Sequence, residues 1–278
     1  MKRIRGGSGI GDSIYLRPIV EHFVKQDGGA IVCSSYPDVF IGSGAEVVPF
    51  ARNNIDVLGH YAARRHFNNT NQYEDVCGSA GVNPELKFDW TVQNSELVQK
   101  IKAMADGKPI VLVHGGRVPM GRTDGVGSEL LPDGKAFAAA LAALKDCFLV
   151  RIGKGEQLYP LTVDCDLNDQ TSVSDLLDLA YECDGIIAQC SFAIPLAEVF
   201  NKLLLVVWAS RGLDSRIDFV RQTTPKKILS KATSHYVVDD MGFTIIQNRA
   251  SFWLHSVDAY ARTKSGDFSE KEFKACVS

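Results

Sequence analysis

Short apolar runs alternate along this chain with longer segments that are apolar on one face only, the pattern of a parallel sheet with crossover helices. In the first part, residues 2–5 read as a strand, 14–25 as a helix, and 30–35 and 46–50 as strands. Residues 68–81 and 95–104 have helical spacing, and 87–92 read as the closing strand of this half. Ala105-Asp106-Gly107-Lys108-Pro109 then interrupts the series. A second series follows, with strands at 110–114, 148–152, 185–188 and 203–208, and helices at 134–145, 173–183 and 193–200. A last helix is expected over 252–263, packing back across the first half. Two α/β halves of this kind put a crevice at the C-terminal ends of two parallel sheets, where ligands bind in such folds. The expectation is two Rossmann-like domains facing a cleft, residues 1–94 and 95–278.

Composition narrows the class. The 278 residues are 45% hydrophobic and 23% charged with a formal charge of -3, which describes an ordinary globular protein without global attraction to nucleic acid or anionic lipid. No run approaches the roughly 18 apolar residues that span a bilayer, and the N-terminus has no apolar stretch suited to a signal peptide, so a cytoplasmic protein is expected. The seven cysteines are scattered without a close pair, and the six histidines show no ligand spacing. Reduced thiols, several of them in cores, are the expected state.

The chemistry concentrates in Gly6-Gly7-Ser8-Gly9-Ile10-Gly11-Asp12, a turn between the first strand and the first helix. Its glycine spacing is not the dinucleotide fingerprint, which also needs an acidic residue about 20 positions on. Asp12 stands where the helix is expected to begin, a place that favours negative charge and suits a group accepting a proton from a hydroxyl. An N-cap role competes, because Asp is among the best N-cap residues.

The same residues carry a family resemblance. Arg5 to Asp12, followed six residues later by Pro18, is similar to the opening of the ADP-heptose:lipopolysaccharide heptosyltransferases of glycosyltransferase family 9. Further matches come in order: Val111-Leu112-Val113-His114-Gly115-Gly116, Leu131-Pro132 where the family has Trp-Pro, Ile152-Gly153-Lys154-Gly155-Glu156, and the segment from Asp166 to Ala197. The chain thus resembles a divergent member of that family. The resemblance implies a GT-B fold, with an acceptor domain at 1–94 and a nucleotide-sugar domain at 95–278. It implies an inverting glycosyltransferase that needs no metal or other cofactor, with Asp12 on the position of the catalytic base.

On that reading Gly11, Gly115, Gly116, Arg117, Arg122, Glu156 and Ser191 are candidates for the donor and its diphosphate, and Ser8, Gly9 and Ser13 for the acceptor. Arginine suits phosphate oxygens because it binds them bidentately, although solvated loop arginines are the competing reading. His114 and Glu198 are weighed beside them, a structural histidine being the commoner outcome for the first. The family carries Asp-Ser-Gly and then His after its penultimate strand, whereas this chain has Cys190-Ser191-Phe192 and Pro195. That departure points to a different sugar-nucleotide pocket.

Between 211 and 231, six basic residues stand against two acidic ones, leaving about +4. A solvated loop is the default, and contact with a polyanion is the sharper reading. The acceptor is then either a lipopolysaccharide-type glycan or a hydroxylated base in DNA, flipped out of the duplex. Tyr61, Phe67, Tyr73 and Trp90 are aromatic candidates for stacking, with core packing as the alternative. A nucleotide-sugar-binding protein without transfer activity, or an epimerase of the same architecture, is the remaining alternative.

Overall fold

Strand β1 (Lys2–Arg5) pairs in parallel with β2 (Ala30–Cys33) and β4 (Val57–Leu58), and β3 (Glu46–Val48) lies outside β2, giving the order β3-β2-β1-β4. The structure, a computed structural model, describes residues 1–51, 53–59, 71–87, 89–116, 131–210, 234–265 and 269. Helix α1 (Ile10–Asp27) returns from β1 to β2 and stops at Gly28, whose φ of 73° is the left-handed conformation suited to a helix C-terminus. It starts before the expected position, with Gly9 as its extended N-cap residue. Asp12 is therefore three residues inside the cap and is not itself the N-cap. Helix α2 (Gln72–Ala80) completes this half, capped reciprocally by Asn71 and Glu74.

The second sheet holds β5 (Ile110–His114), β6 (Phe148–Arg151), β7 (Cys165–Asp166), β8 (Gly185–Ala188), β9 (Leu203–Trp208) and β10 (Ser234–Val238). All pair in parallel in the order β10-β9-β8-β5-β6-β7. Its helices are α3 (Ser95–Ala105), α4 (Gly134–Ala142), α5 (Val173–Glu182), α6 (Ala193–Val199) and α7 (Phe243–Ser265). Strands β5, β8 and β9 are buried throughout, which explains why they read as continuous apolar runs.

Helix α7 differs from expectation. It packs on α4, β9 and β10, all in the second half, and does not take its place against the first sheet. Gly185 explains the seat: the fully buried Trp253 ring fills the space where a Cβ on Gly185 would come within 2.9 Å. At its far end Lys264 donates to the Asp184 carboxylate at 2.9 Å.

Residues 89–94 also depart from the strand expected there and form an extended connector between the halves. Trp90 turns inward and donates its indole N–H to Asp178 of α5 at 2.7 Å, and Asp178 also accepts the backbone N–H groups of Gln93 and Asn94. Asn94 then caps α3 by accepting from Leu97 N–H. On the other side Arg17 of α1, 1% exposed, donates to the carbonyls of Val39 and Asp89 at 2.7 and 2.8 Å and to Glu21 at 2.8 Å. Burial pulls the Arg17 guanidinium below its usual value, with Glu21 acting in the opposite sense.

The two halves share one core. Helix α1 packs directly on α6, and buried residues run without a break from Ile4 and Ile14 through Phe40 and Trp90 to Leu177, Ile194 and Val206. Tyr15 of α1 donates its hydroxyl to Glu198 of α6 at 2.5 Å, both side chains being out of solvent. Burying Ile14, Leu16, Ile19 and Val20 contributes on the order of 1.5–3 kcal/mol for each side chain. The floor between the sheets is thus apolar protein, and the crevice is confined to their C-terminal rims.

The cysteines among the described residues are free thiols. Burial pushes Cys147 and Cys183 up to about 12, which leaves them protonated and inert at neutral pH. Among the described residues no helix is long and apolar enough to cross a membrane.

Candidate active site

The site is built where the first turn of α1 meets the rim of the second sheet. Asp12 lies half-exposed in that turn, and its Oδ2 accepts the backbone N–H of Gly9 at 2.9 Å. Among the described residues this is its one hydrogen bond, so Oδ1 remains an open acceptor. Gly9 has no side chain to return the bond, and its carbonyl instead accepts Ser13 N–H as the first rung of the helix.

Gly7 is required for a steric reason. A Cβ there would lie 2.3 Å from Asp12 Oδ2, so a bare backbone is what lets the carboxylate fold over the loop. Gly7→Ala is expected to drive the carboxylate off the Gly9 N–H. Denaturant unfolding should register a loss of about 0.5–2 kcal/mol, the usual worth of a helix cap, and any activity depending on Asp12 should fall more steeply than stability.

The neighbouring elements follow in a row that matches the strand order. Gly11 touches the segment after β8: a Cβ on it would meet Phe192 Cα and Pro195 Cγ at 3.3 Å. Gly11 is therefore a packing glycine between α1 and α6. Phe192 packs edge-on against His114 at the end of β5, with ring centroids 4.5 Å apart. Gly115 and Gly116 come next. The first lies on the Phe137 ring, and the second has a φ of 74°, where a side chain would be strained, and sits against Tyr159. Gly116 accepts Leu158 N–H at 2.8 Å, which ties in the loop carrying the exposed Glu156.

Other sequence candidates fare differently. Ser8 is exposed in the turn, as an acceptor contact requires. Ser13 is 3% exposed, with its hydroxyl 3.0 Å from that of Ser34, so it braces α1 against β2 instead of facing the crevice. Ser191 accepts Ala193 N–H at 3.2 Å and so starts α6. Glu198 is buried against Tyr15 and is not open to a ribose. Tyr73 and Trp90 are core residues, the packing alternative for both. Arg117, Arg122, Tyr61, Phe67 and the basic stretch 211–231 lie outside the described residues.

One residue of the rim carried no motif. Asp239, just past β10, accepts Asp133 N–H at 2.8 Å and Ser210 N–H at 2.7 Å. A single carboxylate thereby joins the chain entering α4 to the chain leaving β9. Its partners are backbone groups distant in sequence, so nothing in the residue types around it announces the role.

No protein-family model matches this sequence, and no curated protein matches it. Solved structures do. E. coli ADP-heptose LPS heptosyltransferase II aligns over 93% of this chain and 100% of its own, with a TM-score of 0.56 and 12% identity. A family 9 glycosyl transferase from Veillonella parvula aligns over 94% of this chain and 96% of its own, with a TM-score of 0.51 and 12% identity. The iron-containing dodecameric glycosyltransferase TibC of enterotoxigenic E. coli aligns over 74% of this chain and 57% of its own, with a TM-score of 0.52 and 13% identity. Likeness at such low identity establishes architecture, and the chain has the GT-B fold of these glycosyltransferases.

Proposed function

We propose that the protein is a metal-independent, inverting glycosyltransferase that moves a sugar from a nucleotide-sugar donor to an acceptor hydroxyl, with Asp12 as general base. The observation that carries this reading is the Asp12 carboxylate: one oxygen is tied to Gly9 N–H, the other is open among the described residues, and the turn abuts the C-terminal rim of the second sheet. In the reaction the acceptor hydroxyl gives its proton to Asp12 Oδ1. Its oxygen attacks the anomeric carbon, and the bond to the nucleoside diphosphate breaks on the opposite face. The proton transfer contributes about 10²–10⁴ in rate.

The leaving diphosphate gathers negative charge and needs cationic or N–H partners. Arg117 and Arg122 follow Gly116 in sequence and fill that role, with Gly115, Gly116, Glu156 and Ser191 around the donor and Ser8 and Gly9 on the acceptor side. The heptosyltransferase likeness favours a glycan acceptor, and no observation favours a DNA base.

The test is a thermal-shift screen with ADP-, UDP-, GDP- and CMP-sugars on the wild type, Arg117→Ala and Arg122→Ala. A ligand at 100 times its dissociation constant adds about 2.7 kcal/mol, an easily read shift. One nucleotide class should stabilise the wild type and lose its effect in the arginine variants. No shift with any class would overturn the reading. Conversion of the bound donor without any acceptor would favour an epimerase, and binding without turnover a sugar-nucleotide receptor.

A further inference from the structure

We infer that Phe192 is the wall that limits the size of the transferred sugar, and that the donor carries a compact pentose or hexose. This rests on the glycosyltransferase reading of the same site.

Phe192 occupies a place where the two halves touch at the rim. Its backbone packs closely on Gly11, one residue from the proposed base: an added Cβ would meet Phe192 Cα at 3.3 Å and Cβ at 3.5 Å. Its ring packs on His114 at the end of β5, centroids 4.5 Å apart with an interplanar angle of 62°. A sugar held between Asp12 and the ends of β5 and β8 must therefore pass this side chain.

The ring is backed by a buried partner. His114 behind it is 6% exposed, and the buried Ala193 and Ile194 of α6 follow it in the chain. The Phe192 carbonyl is fixed as the acceptor for Leu196 N–H at 3.1 Å. Phe192 itself is half-buried, so part of the residue stays accessible beside Gly11 and His114, and in the proposed site its ring supplies an apolar surface. Such a surface suits the C–H face of a sugar ring, but a hydroxyl on an extra exocyclic carbon pressed against it would lose its water without gaining a partner.

Isothermal titration of ADP, UDP and GDP into wild type, Phe192→Ala and Phe192→Leu comes first. For the diphosphate that binds, hexose donors are then compared with their heptose homologues of matched ring configuration, one exocyclic carbon larger: UDP-glucose with UDP-glycero-gluco-heptose, ADP-mannose with ADP-glycero-manno-heptose, or GDP-mannose with GDP-glycero-manno-heptose. Wild type should favour the smaller member by about tenfold or more, the usual worth of one carbon in a fitted pocket. In Phe192→Ala that preference should shrink toward parity while affinity for the bare diphosphate holds. The Leu variant preserves apolar bulk and carries the test if the Ala protein does not fold. A preference unchanged in both variants, a wild-type preference for the larger sugar, or a parallel loss of diphosphate affinity would overturn the assignment. Folded protein that binds none of the three diphosphates and is stabilised by no sugar nucleotide of the screen above would instead remove the glycosyltransferase reading, and this inference with it.

Discussion

Asp12→Asn should lower the rate of sugar transfer by about 10²–10⁴-fold while leaving donor affinity and folding nearly intact. The reason lies in the two oxygens of the carboxylate. Oδ2 holds Gly9 N–H at 2.9 Å, a bond that an asparagine carbonyl can also accept, so the first turn of α1 survives the change. What disappears is the ability of the second oxygen to take up a proton. Single-turnover kinetics with saturating donor, beside titration of the same donor, separates the two roles. A variant that loses stability but transfers at the normal rate would reduce Asp12 to a helix cap. Asp12→Ala removes both functions and should lose stability as well, which makes the asparagine variant the more informative of the pair.

The largest expected loss of stability falls far from this turn. Asp178→Ala should cost about 1–3 kcal/mol in denaturant unfolding, because one buried and two part-buried donors lose their acceptor together. The Trp90 indole and the backbone N–H groups of Gln93 and Asn94 all converge on that carboxylate, which is 0% exposed. Asp178→Asn retains one carbonyl oxygen and should lie between wild type and the alanine variant. The connector would then no longer be held to α5, so the midpoint of unfolding should fall for both halves at once. Two separate transitions, with only one of them shifted, would show that the shared core couples the halves less than its contacts imply.

Much of the architecture was legible in the sequence because it rests on periodicity and burial. Strands β5, β8 and β9, buried along their whole length, announced themselves as apolar runs. Helix α5 starts at Val173 as expected, where Ser172 and Asp175 form a capping box. Strand β4, with two residues, is too short for any period to register, and β10 follows a stretch dominated by its basic residues. The connector read as a strand, whereas a buried carboxylate 88 positions away draws Trp90 inward.

The site divides along the same line. Asp12 and the small residues at the ends of β1 and β5 were visible as a glycine pattern. Their detailed roles were not, since a glycine that meets a carboxylate and one that meets a neighbouring helix look alike in sequence. Ser13 and Glu198 were drawn toward ligands by residue type alone, yet each is consumed by a partner from another element, Ser34 and Tyr15. Asp239 had no local signal at all.

The continuity of the core around α1 bears on how this protein can be recombined. Residues Ser13 to Val20 are buried on every side of the helix, against their own sheet on one side and α6 on the other. Neither half is a cassette with a finished surface. A chimera that exchanges the second half for another must bring a matching counterpart for Gly11 and Tyr15, or it will leave a buried hydroxyl and an apolar stripe uncovered. The surface of this protein is therefore easier to alter by substitution along the rim than by shuffling whole halves.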